Sequence, residues 1–182
     1  SPLLRIGAFP HTTATVLPMI VKKLISGPPA WRLQIVDGSA EQLLHLLLQG
    51  EIDLLLGRLP QKSAGMPEIA DLAQRVLYEG RLSVVAARNH PLADGRSVTL
   101  DDLLTWPWIL PGTRSTTRVA LADAFLRLGL PPPVPVVESP SFFYSLSVVA
   151  QTELLTCCAH SAAVQAGEAT AAQMGAFLMG LR

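Results

Sequence analysis

Short apolar runs alternate with longer segments in which apolar residues recur at three- and four-residue spacing. The runs predict buried strands, and the spaced segments predict helices. Over the first third the predicted order is strand, helix, strand, helix and strand, at residues 3–9, 16–24, 33–36, 39–50 and 52–56. Strands joined by crossover helices of this length are parallel, so this third predicts an α/β unit.

The segment 57–67 contains two glycines and two prolines, which predicts a surface loop. Alternation then resumes, with strands predicted at 76–78, 82–87, 108–110, 134–137 and 154–158 and helices at 100–104, 115–128, 141–151 and 170–181. The predicted core face of the helix over 115–128 is Val119, Ala122, Phe125 and Leu126. Two successive α/β units, about 1–78 and 79–160, would leave a ligand cleft at the carboxyl ends of their strands.

Composition narrows the class of protein. The 182 residues include 14 Lys+Arg and 14 Asp+Glu, with 49% hydrophobic and 15% charged residues. This balance disfavours disorder, and it disfavours a nucleic-acid-binding surface, which needs excess positive charge. No apolar run is long enough to span a membrane, and residues 1–20 lack the regions of a signal peptide. The chain starts at Ser1 rather than Met, so we expect a fragment or a processed product.

The two cysteines, Cys157 and Cys158, are adjacent. Adjacent cysteines match no zinc-site spacing and rarely form a disulfide with each other. They are predicted to be buried thiols in a reducing compartment, which favours a cytoplasmic protein.

Catalytic and metal motifs are absent from the sequence. None of the four histidines is paired at metal-ligand spacing, and no nucleophile-elbow, zinc-helix or P-loop pattern occurs. Glu51 and Asp53 allow a carboxylate pair, although solvated turn residues are the more common case. His45 is predicted at the edge of a helix face, and His90 in a turn. No catalytic residue, metal or cofactor is therefore predicted.

Hydroxyl side chains gather where predicted helices begin, each time directly after a strand or its loop. Helix N-termini carry unpaired N–H groups and attract anions, although Ser and Thr there are also ordinary caps. Four such ends, if they converge, predict a site for a small anion. The residues concerned are Pro10, His11, Thr12 and Thr13; Ser39; Ser115, Thr116 and Thr117; and Ser139 and Ser141.

Three arginines, Arg58, Arg114 and Arg118, lie near these loops and could add charge-assisted contacts. The alternative is that each is an ordinary solvated surface charge.

The chain resembles the effector-binding regulatory domain of LysR-type transcriptional regulators. The stretch Leu47-Leu48-Gln49-Gly50-Glu51-Ile52-Asp53-Leu54 is similar to the family's L-x-x-G-E-L-D-L segment, and His90-Pro91-Leu92-Ala93 to its H-P-L-A turn. The resemblance covers about residues 3–165 and 169–182. Gly57-Arg58-Leu59 and Pro111-Gly112-Thr113 resemble the subgroup with regulators of protocatechuate and galactose genes.

The resemblance implies an α/β fold like that of type 2 periplasmic binding proteins, with two Rossmann-like subdomains. The first would comprise 1–78 plus 169–182, the second 79–168, with an effector in the cleft between them. The implied effector-binding residues are Pro10, His11, Thr12, Ser39, Leu56, Arg58, Ser115, Thr116, Thr117, Ser139, Ser141 and Phe142. His11 departs from the Ser or Thr usual there, and a histidine could bind as a cation instead.

The resemblance also implies partners. These are a small effector such as an organic acid, a second copy in a homodimer or homotetramer, and DNA, which would be read only by a winged helix-turn-helix preceding Ser1. In the family's dimer, a helix over 15–25 meets the partner's helix over 117–128, so Met19 and Leu121 are predicted outside the core. The implied strands that return the chain to the first subdomain have no counterpart near Glu168-Ala169, so a gap in the sequence is expected there; the alternative is an actual deletion, which would remove one crossover.

Two other functions fit the same fold. A solute-binding protein of a transporter would have the same cleft, but it would require a signal peptide. An enzyme such as a dehydratase would need an acid/base pair, for which His11 is the only candidate.

Overall fold

The structure is a computed structural model that describes residues 1–57, 72–77, 80–164 and 176–180. The side chains of residues 10, 11, 13–15 and 176–180 are outside this description. Most of the predicted loop over 57–67, the predicted gap near Glu168-Ala169 and the candidate Arg58 also lie outside the described residues.

The first unit is a parallel sheet of three strands with its helices in the predicted order. Strand β1 (Leu3–Ala8) lies between β2 (Arg32–Asp37) and β3 (Leu54–Leu56), and both pairings are parallel. Helix α1 (Pro10–Ser26) joins β1 to β2, and α2 (Ala40–Leu48) joins β2 to β3. The prediction of strands alternating with crossover helices is confirmed here.

The two faces of β1 carry separate clusters of buried side chains. Ile6 and Ala8 pack with Leu17 of α1. Gly7 faces the other side of the sheet, because successive strand residues point to opposite faces. A Cβ at Gly7 would lie 2.5 Å from Ile52 Cδ1 and 3.3 Å from Leu43 Cδ2 of α2, so α2 covers that side. The two helices therefore cover opposite faces of the sheet, and both leave the carboxyl ends of its strands open for a site.

The second unit is built around β4 (Leu82–Ala87). This strand pairs antiparallel with β7 (Thr156–Ala159) and with β8 (Ala176–Gly180). A short parallel pair, β5 (Ile109–Leu110) with β6 (Val137–Glu138), lies beside them, and Trp108 bridges to Leu155 next to β7.

Among the described residues, the helices α3 (Leu100–Leu103), α4 (Thr116–Leu126) and α5 (Phe142–Val149) belong to this unit, and residues 160–164 are also helical. Phe125 of α4 packs in one buried cluster with Trp108, while Leu146 of α5 packs in another with Ile109. The neighbours Trp108 and Ile109 thus face opposite sides, and α4 and α5 lie on opposite faces of the sheet, as α1 and α2 do in the first unit.

The predicted turn at His90 is closed by the His90 side chain. Its Nδ1 accepts a hydrogen bond from Leu92 N at 3.1 Å, and its Nε2 lies 3.2 Å from the Glu153 carbonyl oxygen. A ring that accepts at Nδ1 and donates at Nε2 is the neutral tautomer. The ring also contacts Trp106 edge-on, with centroids 4.3 Å apart. The H-P-L-A turn therefore fastens the end of β4 to the loop before β7.

Two predicted strands are corrected. Val76 and Leu77 pair with no strand among the described residues, and their side chains are exposed. The strand predicted over 134–137 forms only at its end, where β6 covers Val137–Glu138 and Val136 N donates to the Trp108 carbonyl oxygen at 2.9 Å. Pro133 and Pro135 have no N–H to donate to a neighbouring strand, which shortens the strand.

The predicted core face of α4 is wrong in part. Leu121 and Phe125 are fully buried, whereas Val119 and Leu126 are 49% and 59% exposed. Leu121 and Phe125 are four residues apart and so share a face of the helix. Because α4 carries apolar residues on several sides, the spacing of apolar residues alone does not identify the side that faces the core. The placement of Leu121 outside the core is also wrong.

The chain end is corrected as well. Residues 176–180 form strand β8, not the helix predicted over 170–181. They pair with β4 from Ser83 to Ala87, in the second unit, which differs from the assignment of 169–182 to the first subdomain. Without β8, one edge of β4 would leave its buried N–H and C=O groups unpaired, and this tertiary pairing outweighs local helix preference.

Candidate functional site

The parallel register of the first sheet brings three predicted site segments to one edge. Ala8 at the end of β1 is level with Asp37 at the end of β2 and with Leu56 at the end of β3. Phe9 N then donates to the Leu56 carbonyl oxygen at 3.3 Å. The start of α1, Ser39 before α2, and Leu56 therefore lie together at the carboxyl edge.

The second unit has a matching edge. Leu110 is level with Glu138, and Ser139 N donates to the Leu110 carbonyl oxygen at 3.0 Å. The loop that leads from β5 to Ser115 at the start of α4 therefore lies beside the loop that leads from β6 to Ser141 at the start of α5.

An ion pair joins the two edges. Arg114, just before α4, places its Nη1 3.4 Å from Glu41 Oε2 in the first turn of α2. The N-terminal ends of α2 and α4 therefore face each other across the space between the units. This contact brings the first turn of α2 and the loop before α4 within reach of two long side chains, and the convergence of all four helix ends on one ligand stays a prediction.

The four helix ends differ in how they are capped. Ser39 accepts from Gln42 N while Gln42 bonds back to Ser39 N, which is the predicted capping box. Ser141 accepts from Tyr144 N. Ser115 makes no side-chain cap bond to α4, and at α1 the cap residue is Phe9, which has no polar group to offer. Ser39 and Ser141 thus serve their own helices, whereas the first turns of α1 and α4 have no side-chain cap.

The remaining predicted residues fall into two groups. Those whose side chains are half-buried at the two edges are Leu56, Ser115, Thr116, Thr117, Ser139 and Phe142. Thr12 is instead buried, at 6% exposure. Pro10 and His11 lie in the first turn of α1, but their side chains are not described, so the role of His11 stays a prediction.

The two predicted site arginines that the structure describes, Arg114 and Arg118, have different partners. Arg118 Nη1 donates to the Pro111 carbonyl oxygen at 3.1 Å and so fixes the loop before α4 from within its own unit. Arg114 reaches across to Glu41 instead. Glu41 was not among the site residues predicted from the sequence. Its position two residues after a capping serine, on a helix that begins at the cleft, is the signal that could have identified it.

Gly57 adjoins this edge and is required by a close approach. A Cβ at this position would overlap the Phe9 ring. The glycine that begins the Gly57-Arg58-Leu59 triplet therefore allows Phe9 to pack against the end of β3 at the point where α1 begins.

Glu51 and Asp53 do not form a catalytic pair. Asp53 accepts hydrogen bonds from Arg5 Nη2 at 2.7 Å, Arg5 Nε at 3.2 Å and Arg5 N at 2.7 Å. The guanidinium bonds, and then the backbone bond, lower the pKa of Asp53. Asp53 therefore ties the start of β3 to β1 rather than acting as a proton donor or remaining a free turn residue.

The cysteines are free and buried, as predicted. Burial raises the pKa of both thiols, that of Cys158 to about 12. Within the described part of the chain, no cluster of three or more His, Cys, Asp or Glu side chains could hold a metal ion. Among the described helices, none is both long and apolar enough to cross a membrane.

Comparison with known proteins places this chain in a family. The family of LysR substrate binding domains matches residues 1–177. The HTH-type transcriptional regulator GalR of Pseudomonas putida is 28% identical over 84% of this chain, and the HTH-type transcriptional regulator PcaQ of Agrobacterium fabrum is 28% identical over 74%. The chain spans 37% and 42% of the lengths of these two relatives.

Solved structures share the fold. The effector binding domain of QuiR, in complex with shikimate, superposes with a TM-score of 0.81 at 16% identity, and the match covers 100% of this chain and 82% of that one. The predicted fold, two Rossmann-like units like those of type 2 periplasmic binding proteins, is confirmed. With residues 1–177 matched and transcriptional regulators as its relatives, this chain belongs to the LysR substrate-binding-domain family and is an effector-binding domain of the LysR type.

Proposed function

We propose that this domain senses a small organic anion, which it binds between the two carboxyl edges, and that it passes this signal to a DNA-binding region of a LysR-type regulator. The ligand-binding units in this proposal are 1–78 and 79–168, with residues 176–180 added to the second. A ligand that binds closed forms better than open forms shifts the balance between them.

The observation that carries the proposal is the position of the α2 and α4 ends, which the Arg114–Glu41 contact brings within reach of each other. Ser115 leaves the first turn of α4 without a side-chain cap, so its N–H groups and the Thr116 and Thr117 hydroxyls are available to an anion. Ser39 adds a hydroxyl from the first unit, because its oxygen can still donate while it accepts from Gln42 N.

An effector with both a carboxylate and an apolar part fits the residues at the edges. Leu56 and Phe142 are half-buried there and offer apolar contact. QuiR, which shares the fold, is bound to shikimate, a hydroxylated carboxylic acid. The relatives found are transcriptional regulators, which favours sensing over transport and over catalysis. We therefore propose a cytoplasmic sensor without enzymatic activity.

A thermal-shift screen tests this function. The purified chain is heated with each of a panel of aromatic acids, sugar acids and hydroxylated cyclic acids, and with neutral analogues of the same compounds. We expect at least one acid to raise the Tm, with no rise for its amide. Stabilisation by neutral compounds alone would contradict an anion site.

We also propose that the chain forms a side-by-side dimer through α1 and α4. Met19 and Ile25 on α1 are 71% and 53% exposed, and Val119 and Leu126 on α4 are 49% and 59% exposed. Exposed apolar side chains on two helices of the same domain favour a self-complementary surface in which α1 of one copy meets α4 of the other. The rest of the regulator would read DNA.

Sedimentation velocity tests the dimer. The variant Leu126→Glu should sediment as a monomer at concentrations where the original chain is dimeric, because a charge would be buried in the interface. Leu48→Glu is the matched control, since Leu48 is a 47% exposed leucine on α2. Dimerisation unchanged by Leu126→Glu would contradict this interface.

A further inference from the structure

The ion pair between Arg114 and Glu41 crosses between the two units. Glu41 belongs to α2 in the first unit, and Arg114 to the loop before α4 in the second, with 3.4 Å between Glu41 Oε2 and Arg114 Nη1. Both side chains are exposed, at 71% and 88%, so neither is needed to fill a core.

Both ends of this contact are held firmly by their own units. Glu41 lies in the first turn of α2, which the reciprocal bonds between Ser39 and Gln42 fix. On the other side, Ser115 N donates to the Gly112 carbonyl oxygen at 2.9 Å, and Arg118 holds the Pro111 carbonyl oxygen at 3.1 Å. A change in the spacing between the units must therefore stretch or break the ion pair, because neither backbone can follow freely.

We infer that Glu41 and Arg114 form an electrostatic latch that favours the spacing of the two units seen in this structure, here called the closed form, before any effector binds. An exposed pair of this kind is weak and is screened by salt. Its effect is therefore a bias in a balance between two forms rather than a lock. Losing the pair should lower the ratio of closed to open forms by about 1.5- to 5-fold.

The latch also gives Arg114 a second role, which rests on the proposed anion site. An anion bound at the start of α4 would compete with Glu41 for the guanidinium of Arg114. Glu41 thereby sets a threshold, since an effector must interact with Arg114 more favourably than this carboxylate does.

Distances between spin labels test the latch without any effector. Labels at Gln49→Cys and Arg127→Cys, at the far ends of α2 and α4, report the spacing of the two helices. The native cysteines are buried and should stay unlabelled. Labelled chains are diluted in an excess of unlabelled chains, so that distances between copies in a dimer do not contribute.

In this background, Glu41→Gln and Arg114→Gln should each move population toward longer distances, and the double variant should add little to either single one. Raising the salt to 1 M should lengthen the distances in the same way in the labelled chain that keeps Glu41 and Arg114. It should have almost no effect in the labelled variants. Asp123→Asn, which removes an exposed carboxylate from α4, is the control and should change nothing. Unchanged distances in both single variants, or equal salt responses in all proteins, would overturn the latch.

The outcome is independent of the proposed function. A chain that responds to no organic anion would contradict the sensing role and leave the latch result intact. A chain that binds an anion with unchanged distances in both latch variants would contradict the latch alone.

Discussion

At the scale of single residues, the contact between Arg5 and Asp53 shows what Asp53 of the Gly50-Glu51-Ile52-Asp53-Leu54 stretch does in this fold. The Asp53 carboxylate accepts from both the guanidinium and the backbone N–H of Arg5, while Asp53 N donates to the Arg5 carbonyl oxygen at 2.8 Å. The start of β3 is therefore fixed to β1, which sets the position of Leu56 at the site.

The variant Asp53→Asn should unfold at a lower temperature than the original chain at pH 7. The bonds from Arg5 lower the pKa of Asp53 in the folded state, so the ionised form stabilises the fold. This stabilisation is fully present above the ordinary carboxyl pKa of about 3.9 and is lost as the pH falls through the lower folded value.

Thermal unfolding of both proteins between pH 7 and pH 2 is the measurement. The Tm difference should be constant down to about pH 4 and should shrink below that. Asp123→Asn, with no such partner, should show no comparable difference at any pH. A difference between Asp53→Asn and the original chain that grows on acidification would contradict the role of the carboxylate.

The two cysteines should be inert in the folded protein. Burial raises the pKa of both thiols, that of Cys158 to about 12, so very little thiolate exists at neutral pH. With Ellman's reagent at pH 8 we expect negligible release of colour from the native chain and two equivalents after denaturation in guanidinium. Rapid reaction of either thiol in the native state would show that strand β7 is accessible to the reagent and would contradict this prediction.

Some residue roles followed from the sequence and others did not. The burial of the adjacent cysteines was predicted because nothing else fits their spacing. The core position of Leu121 was not, because α4 has apolar residues on several sides and only packing against Trp108 and Phe125 selects one of them. The partner of Asp53 lies on another strand, so no local pattern could reveal it.

At the scale of elements, capping separates two kinds of helix end at the site. Ser39 and Ser141 bond to the first turns of α2 and α5, whereas Ser115 makes no such bond to α4. The Ser39 and Ser141 hydroxyls therefore stabilise a helix whether or not they also contact a ligand, whereas the Ser115 hydroxyl makes no bond to its own helix.

Urea denaturation of three variants tests this difference. Ser39→Ala and Ser141→Ala should each lower the free energy of unfolding by about 0.5–2 kcal/mol, the usual cost of losing a cap. Ser115→Ala should change it by a few tenths of a kcal/mol at most. A loss at Ser115 as large as at Ser39 would mean that Ser115 caps α4 in solution.

Most strands and helices could be predicted because their apolar spacing, glycine stops and capping residues agree. The exceptions have physical causes. Pro133 and Pro135 have no N–H to donate and so shorten the strand predicted over 134–137, and β8 is fixed by a long-range pairing with β4 that outweighs its helix-like sequence. Elements set by distant partners are therefore the ones that the local pattern predicted wrongly.

At the scale of the whole molecule, the lengths of the crossover helices were enough to predict parallel strands and thus a site at their carboxyl ends. The arrangement of one unit against the other was not predictable, since it appears in a contact between side chains far apart in the sequence, Glu41 and Arg114. The succession of two α/β units and the family resemblance both predicted a shared cleft, and this contact shows which loops of the two units approach each other.

The central claim is that one small anion is held by both units at once. Calorimetric titration of the acid selected by the screen into the original chain, Ser39→Ala and Thr116→Ala tests this claim most directly. Loss of a hydrogen bond to a charged group should weaken binding by about 10- to 100-fold in each variant, one from each unit. Ser97→Ala, which removes an exposed hydroxyl from the segment before α3, should bind as the original chain does. Unchanged affinity in either Ser39→Ala or Thr116→Ala would contradict a ligand shared by the two units.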